Sequence, residues 1–243
     1  MTDDLPDVPW LQISRCVQHI GTVQFNTDLI QLLTDYLFVD QCMVFTYADA
    51  QQMKCLMSIN FQNEKLAVPL AGDYINEGYQ KDPNLEDIKK LAVQGSLTIR
   101  LSSVIDLILK TYKAKYYSQP SIADKVSHIQ NVGGLVYYFN FYRGQEKGPI
   151  IQTDLIGDDS FVSLLSNIML LHFEKRGSSD SYMPLSFLSD RERQVCEGIL
   201  KGQKTDFVAH VMGISPHTVT TYRKRAYRKL GISSRGELFL LCT

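Results

Sequence analysis

The 243-residue chain is 44% hydrophobic and 21% charged, a balance that excludes a collagen, a wholly disordered chain or a disulfide scaffold and leaves room for two ordinary domains. No uninterrupted apolar stretch approaches the roughly 20 residues that cross a bilayer, and the first residues, Met1 to Asp7, are acidic where a secretory signal is basic, so a cytoplasmic protein is expected. The net charge of −1 conceals a split: Phe187 to Thr243 holds ten basic and five acidic side chains, net +5, which leaves −6 on the rest. A basic tail on an acidic body suits a polyanionic partner for the tail alone.

Five cysteines, Cys16, Cys42, Cys55, Cys196 and Cys242, include no close pair, and an odd number cannot all pair within one chain, so they are expected as reduced thiols. The five histidines are scattered, and neither a zinc knuckle nor a His-x-x-x-His site can be written from them; no metal or cofactor is expected. A Gly-rich phosphate loop, a Gly-x-Ser-x-Gly elbow and a coherent Cys, His and acid set are all lacking, which argues against an enzyme.

In chain order, Cys42–Tyr47 and Met53–Ile59 are apolar runs of strand length separated by Ala48 to Gln52, which predicts a hairpin. A helical stretch follows, expected to break at Pro69, and Asn84 to Val93 is again helical in pattern. Leu97 to Leu101 is expected as a strand. Val104, Leu107, Ile108 and Tyr112 have the spacing of a buried helix face. Gly133-Gly134 introduces an aromatic strand, Leu135 to Arg143, and Gly144 to Gly148 is expected as a charged hairpin tip. Phe161, Leu164, Leu165, Ile168, Leu171 and His172 outline an amphipathic helix, from about Asp159 to Phe173, that serves as a dimer contact or packs on its own sheet. These elements predict an α+β domain over residues 1–175, a mainly antiparallel sheet covered by helices, with a sensory or dimerisation role.

Small and polar residues from Glu174 to Ser181, followed by Pro184, predict a linker over 176–186. Beyond it, 187–243 predicts an all-α unit. Ser189 and Glu192 form a capping box that starts a helix at Asp190, and Gly202 ends it. A short helix from about Asp206 to Met212, with Thr205 as its cap, stops at Gly213. Ser215 caps a third helix that carries Pro216 in its first position. At ~100° per residue, Val219, Tyr222, Ala226 and Leu230 of this helix share an apolar stripe, and His217, Thr221, Lys224 and Arg228 lie opposite with Thr220 and Arg225 on the flanks. No acidic residue occurs from Ser215 to Gly231. Two helices joined at Gly213-Ile214, the second basic and free on one side, are built to enter a major groove.

Leu188, Glu192, Gly202, Ala209, Ile214-Ser215, Thr218-Val219 and the run from Lys229 to Arg235 resemble the DNA-binding domain of the LuxR-type transcriptional regulators, without gaps over roughly the last 55 residues. The resemblance implies a four-helix module in which Thr220, Thr221 and Lys224 touch bases and backbone. Two positions depart from the pattern: Phe207, where an acidic residue is common, and Thr220, where a basic one is. The candidate DNA-binding residues are Thr205, His217, Thr218, Thr220, Thr221, Lys224, Arg225 and Arg228, with phosphate contacts from the three cations. A double-stranded DNA operator, a second copy of the chain and RNA polymerase are the implied partners. A sigma-factor-like region or a protein-interaction module acting through polymerase contacts is the alternative.

The N-terminal order resembles the GAF- or PAS-like sensory domains that precede LuxR-type modules, including receptors for acyl-homoserine lactones. Tyr74-x4-Tyr79-x2-Asp82-Pro83 is similar to the lactone-binding motif, though one residue short, and the only tryptophan, Trp10, lies near the terminus. Asp82-Pro83 also fits a capping turn before Asn84. The candidate ligand-binding residues are Tyr74, Tyr79, Asp82, Tyr137 and Phe139, for an acyl-homoserine lactone or another small apolar molecule. A phosphorylated receiver is not expected, because Asp3-Asp4 have no strand before them.

Overall fold

The computed structural model describes residues 8–22, 24–48, 53–61, 64–91, 95–101, 110–118, 121–176, 185, 188–230 and 232–242. Two short helices open it, α1 (Trp10–Gln18) and α2 (Gln24–Gln31), the second extended by a π-helical turn from Leu32 to Tyr36. A hairpin follows, β1 (Gln41–Tyr47) and β2 (Met53–Asn60), then α3 (Glu64–Asn76), α4 (Leu85–Lys90) and β3 (Ser96–Arg100). The short α5 (Lys110–Lys113) runs into a wider turn to Ser118, ahead of the long pair β4 (Ile122–Val132) and β5 (Leu135–Gly144) and the helix α6 (Asp159–Arg176).

All five strands form one antiparallel sheet in the order β2-β1-β5-β4-β3. Because side chains alternate across a strand, the sheet serves two cores. Cys42 and Val44 of β1 and Tyr137, Phe139 and Phe141 of β5 turn to one face, where they meet Phe25, Leu29, Leu32 and Leu33 of α2 and its turn, and Val162, Leu165 and Met169 of α6. Met43, Phe45 and Tyr47 with Val136, Tyr138 and Tyr142 turn to the other, under Leu70, Ala71 and Tyr74 of α3, Ile88 of α4, and Tyr112 and Tyr117. Burial on both faces explains why β1 and β5 read as continuous apolar runs.

Several expectations are corrected here. The helix predicted to break at Pro69 runs through it as α3, because Ala67, Leu70, Ala71 and Tyr74, at helical spacing, are all buried and hold the backbone against the local penalty. The segment Gly144 to Gly148 is not a hairpin tip: β5 ends in a 3-10 turn over Gln145–Lys147, and the chain goes on toward α6 instead of returning as a strand. The helix expected over Asn84 to Val93 spans Leu85–Lys90 with Asn84 as its N-cap, and Val93 lies outside the described residues. Val104, Leu107 and Ile108 also lie outside them, whereas Tyr112 is buried as expected. α1, α2 and β4 were not anticipated.

At the C-terminal end, α7 (Asp190–Leu200), α8 (Thr205–Met212), α9 (Pro216–Leu230) and α10 (Arg235–Cys242) assemble around two small cores. Leu185, Leu188, Cys196, Leu200, Ala226, Leu230, Ile232 and Leu238 make one; Val195, Val208, Ala209 and Val219 make the other. The backbone of α3 approaches both α9 and α10.

Candidate nucleic-acid interface

The geometry of α9 is set by its neighbours. The box that starts α7 is complete: the Glu192 amide donates to Ser189 Oγ, and the Ser189 amide donates back to Glu192 Oε2 at 2.9 Å. Lys229 of α9 reaches the same carboxylate at 2.8 Å, tying the end of α9 to the start of α7. Burial works to raise the Glu192 pKa, but the bonds from Lys229 and Ser189 outweigh it and hold the carboxyl below its usual range. α8 packs closely on α7 because position 198 is glycine: a Cβ there would stand 2.6 Å from Val208 Cγ2. Gly213, at φ +64°, supplies the left-handed residue that ends α8 and turns the chain into α9. Ser215 Oγ then accepts from the Thr218 amide at 3.1 Å and caps α9.

Val219, Ala226 and Leu230 are buried and Tyr222 packs partly beneath α9, as the stripe predicted. On the opposite side His217, Lys224, Arg225 and Arg228 are exposed. Among the described residues no carboxylate pairs with Lys224, Arg225 or Arg228, so three cations stand on one helix with their charge uncompensated. Thr220 and Thr221 are half-buried, and their hydroxyls donate to the carbonyls of Pro216 and His217, each at 3.1 Å. That fixes their rotamers and leaves lone pairs and methyl groups for a partner. Thr218 shares its hydroxyl with Ser215 at 2.8 Å and belongs to the cap as much as to the surface. Thr205 is not the cap of α8: Lys204 holds that position without a side-chain bond, and Thr205 is the first helical residue. Phe207 and Val211, one turn apart on α8, are 52% and 66% exposed, an apolar pair beside the cationic helix.

The ligand candidates do not gather in one place. Tyr74 Oη donates to Asp82 Oδ2 at 2.6 Å, and Tyr112 donates to the same oxygen at 2.9 Å. Burial, and then the Asp82 charge, push both phenols well up, so both stay protonated donors. Asp82 Oδ1 accepts from the Asn84 amide at 2.8 Å, the capping turn before α4. Tyr79 packs at the rim of this cluster. Tyr137 and Phe139 are on the other face of the sheet, in the core with α2 and α6, so a single pocket lined by Tyr79, Tyr137 and Phe139 does not form; strand alternation places Tyr138 toward Asp82 instead. Tyr112, Tyr138, Asn84 and Lys125 are the members of this cluster that the sequence did not single out as ligand candidates. Period-two alternation along Leu135 to Arg143 carries the signal for Tyr138.

Comparison with known proteins agrees with the C-terminal geometry. Residues 186–242 match the family described as "Bacterial regulatory proteins, luxR family". An HTH-type transcriptional regulator from the exeN 3' region of Aeromonas salmonicida is 32% identical over 118 residues, covering 49% of this chain and 56% of that protein. The response regulator GacA of Pseudomonas protegens is 47% identical over 64 residues, 26% of this chain and 29% of that one. The matched segments thus span about half the length of the first relative and under a third of the second. The crystal structure of Escherichia coli SdiA aligns over 93% of this chain and 91% of its own at 15% identity, with a TM-score of 0.44. Residues 186–242, in which α8, the Gly213 turn and the cationic α9 follow one another, are a helix-turn-helix domain of the luxR family of bacterial regulatory proteins.

Proposed function

We propose that the whole chain is a cytoplasmic transcriptional regulator that binds an operator in duplex DNA through α9 as a homodimer and answers to a small molecule held in its N-terminal α+β domain, residues 1–175. The observation that carries the DNA reading is the α9 surface: Lys224, Arg225 and Arg228 exposed without acidic partners among the described residues, on a helix whose other side is buried. The cations serve phosphates; Thr220, Thr221 and His217 face the base edges, and Thr205 and Thr218 lie at helix starts where the DNA backbone passes. One such module buries little surface, so two half-sites about one helical turn apart are expected. Leu164 and Leu171, 41% and 51% exposed and two turns apart on α6, supply an apolar stripe for the second copy, while Phe161, Leu165 and Ile168 pack on the sheet. RNA polymerase is the further partner.

Selection of bound fragments from genomic DNA yields the operator, and a titration against salt tests the mode. Log affinity falls steeply with log salt, and Lys224→Ala weakens binding and lowers that slope by about 1. Equal affinity for a scrambled sequence, or an unchanged curve for Lys224→Ala, removes α9 from the groove and leaves a protein-interaction module.

A further inference from the structure

The helix-covered face that holds Asp82 contains a buried cation with no ion pair. Lys125 of β4 is 2% exposed, and among the described residues no carboxylate lies within salt-bridge distance of it. Its ammonium donates to Tyr138 Oη at 3.0 Å, is hydrogen-bonded to the Tyr117 side chain as well, and stands 5.5 to 5.9 Å from the ring centres of Tyr138, Tyr142 and Tyr117. Burial acts to lower the Lys125 pKa, but the surrounding tyrosine oxygens and Asp82 outweigh it and keep the group charged. An ammonium has three protons to give, and an unpaired one in a protein interior is costly to retain.

The same hydroxyl carries a second incomplete group. Asn84 is fully buried, and its Nδ2 donates to Tyr138 Oη at 2.8 Å, while its Oδ1 has no partner among the described residues. Turning the amide over moves the vacancy to the nitrogen and does not remove it. The Tyr138 oxygen has no capacity left, since it accepts from Lys125 and Asn84 and donates toward Asp82 Oδ2 at 3.4 Å. Asp82 is already occupied: Oδ2 takes the phenols and Oδ1 the Asn84 amide. Among the described residues the unspent capacity of the cluster is therefore an ammonium proton and an amide oxygen on either side of Tyr138.

We propose that this cluster binds a small organic acid carrying an N–H group, its acidic oxygens on Lys125 and its N–H on Asn84 Oδ1. Lys125 is then the residue that selects an anion over a neutral ligand of the same shape. The half-buried Tyr79 and Tyr116 at the rim mark the side of approach. This inference rests on the sensory reading of the N-terminal domain.

The test uses the full chain and three probes at millimolar concentration: N-hexanoylglycine, its methyl ester, and N-hexanoyl-homoserine lactone, read by calorimetry and by thermal shift. The acid is expected to bind saturably and the ester, which differs by the charge, about tenfold or more weakly. Lys125→Met is expected to abolish the preference and Lys125→Arg to keep it; the wild-type comparison of acid with ester stands even where Lys125→Met fails to fold. Ester or lactone binding as tightly as the acid overturns the anion site and leaves a small-molecule sensor standing. Binding of none of the three overturns both.

Discussion

A buried imidazole gives the sheet a dependence on acidity. His128 of β4 is 2% exposed, with Nδ1 on the Thr98 hydroxyl at 3.0 Å and Nε2 without a partner among the described residues. Burial lowers its pKa below the usual 6.5, so the folded chain keeps the ring neutral where the unfolded chain takes a proton. The contribution is fully present above about 6.5 and is lost as pH falls through the depressed folded value. Urea titrations are expected to show a falling midpoint as pH drops below about 6.5, and His128→Gln flattens that fall; an equal fall in the variant assigns it to other groups. None of this was legible beforehand, because Ile122 to Val132 mixes Asp124, Lys125, His128 and Gln130 into a strand that is buried for reasons of position in the sheet and not of composition.

At the level of the element, legibility follows how local the determinants are. α7, α8 and α9 were visible because Ser189, Glu192, Gly202, Gly213, Ser215 and Pro216 each act within a turn of their own position. α3 was misread because what carries it past Pro69 is contact with β2 and the sheet, which no window of sequence contains. Tyr137 and Phe139 were placed with Tyr79 although two-residue alternation separates them from Tyr138. The start of α7 offers a direct measure of a local determinant. Ser189→Ala removes one half of the reciprocal cap and is expected to cost about 1 kcal/mol. Lys229→Met leaves the Glu192 carboxylate, 4% exposed, short of its cation and is expected to cost about 1–3 kcal/mol. Chemical denaturation of the full chain, followed by a probe in 188–242, checks both, and the double variant is expected to fall short of the sum because the two groups share one carboxylate.

For the whole molecule, the acidic body and basic tail separate two tasks. The −6 body is repelled by the DNA that the +5 tail attracts, which favours binding with the tail inward and the body away from the duplex. On the proposed reading, two half-sites call for two copies of the chain. Sedimentation equilibrium at operator-binding concentrations is expected to give a dimer, and Leu164→Glu with Leu171→Glu, changes at already exposed positions, to give a monomer with weakened operator affinity and an unchanged far-ultraviolet spectrum. A dimer that survives both charges shifts the contact away from α6.

One helix lies where these levels meet. α3 carries Tyr74, whose hydroxyl rests on Asp82, and its backbone also comes up against α9 and α10. Thermodynamic reciprocity then ties the two ends together: whatever factor an occupant beside Asp82 imposes on operator affinity through α3, the operator must impose on that occupant. On the proposed reading, duplex DNA acts on the N-terminal occupant as that occupant acts on it, and the two titrations, run in either order, close the same cycle.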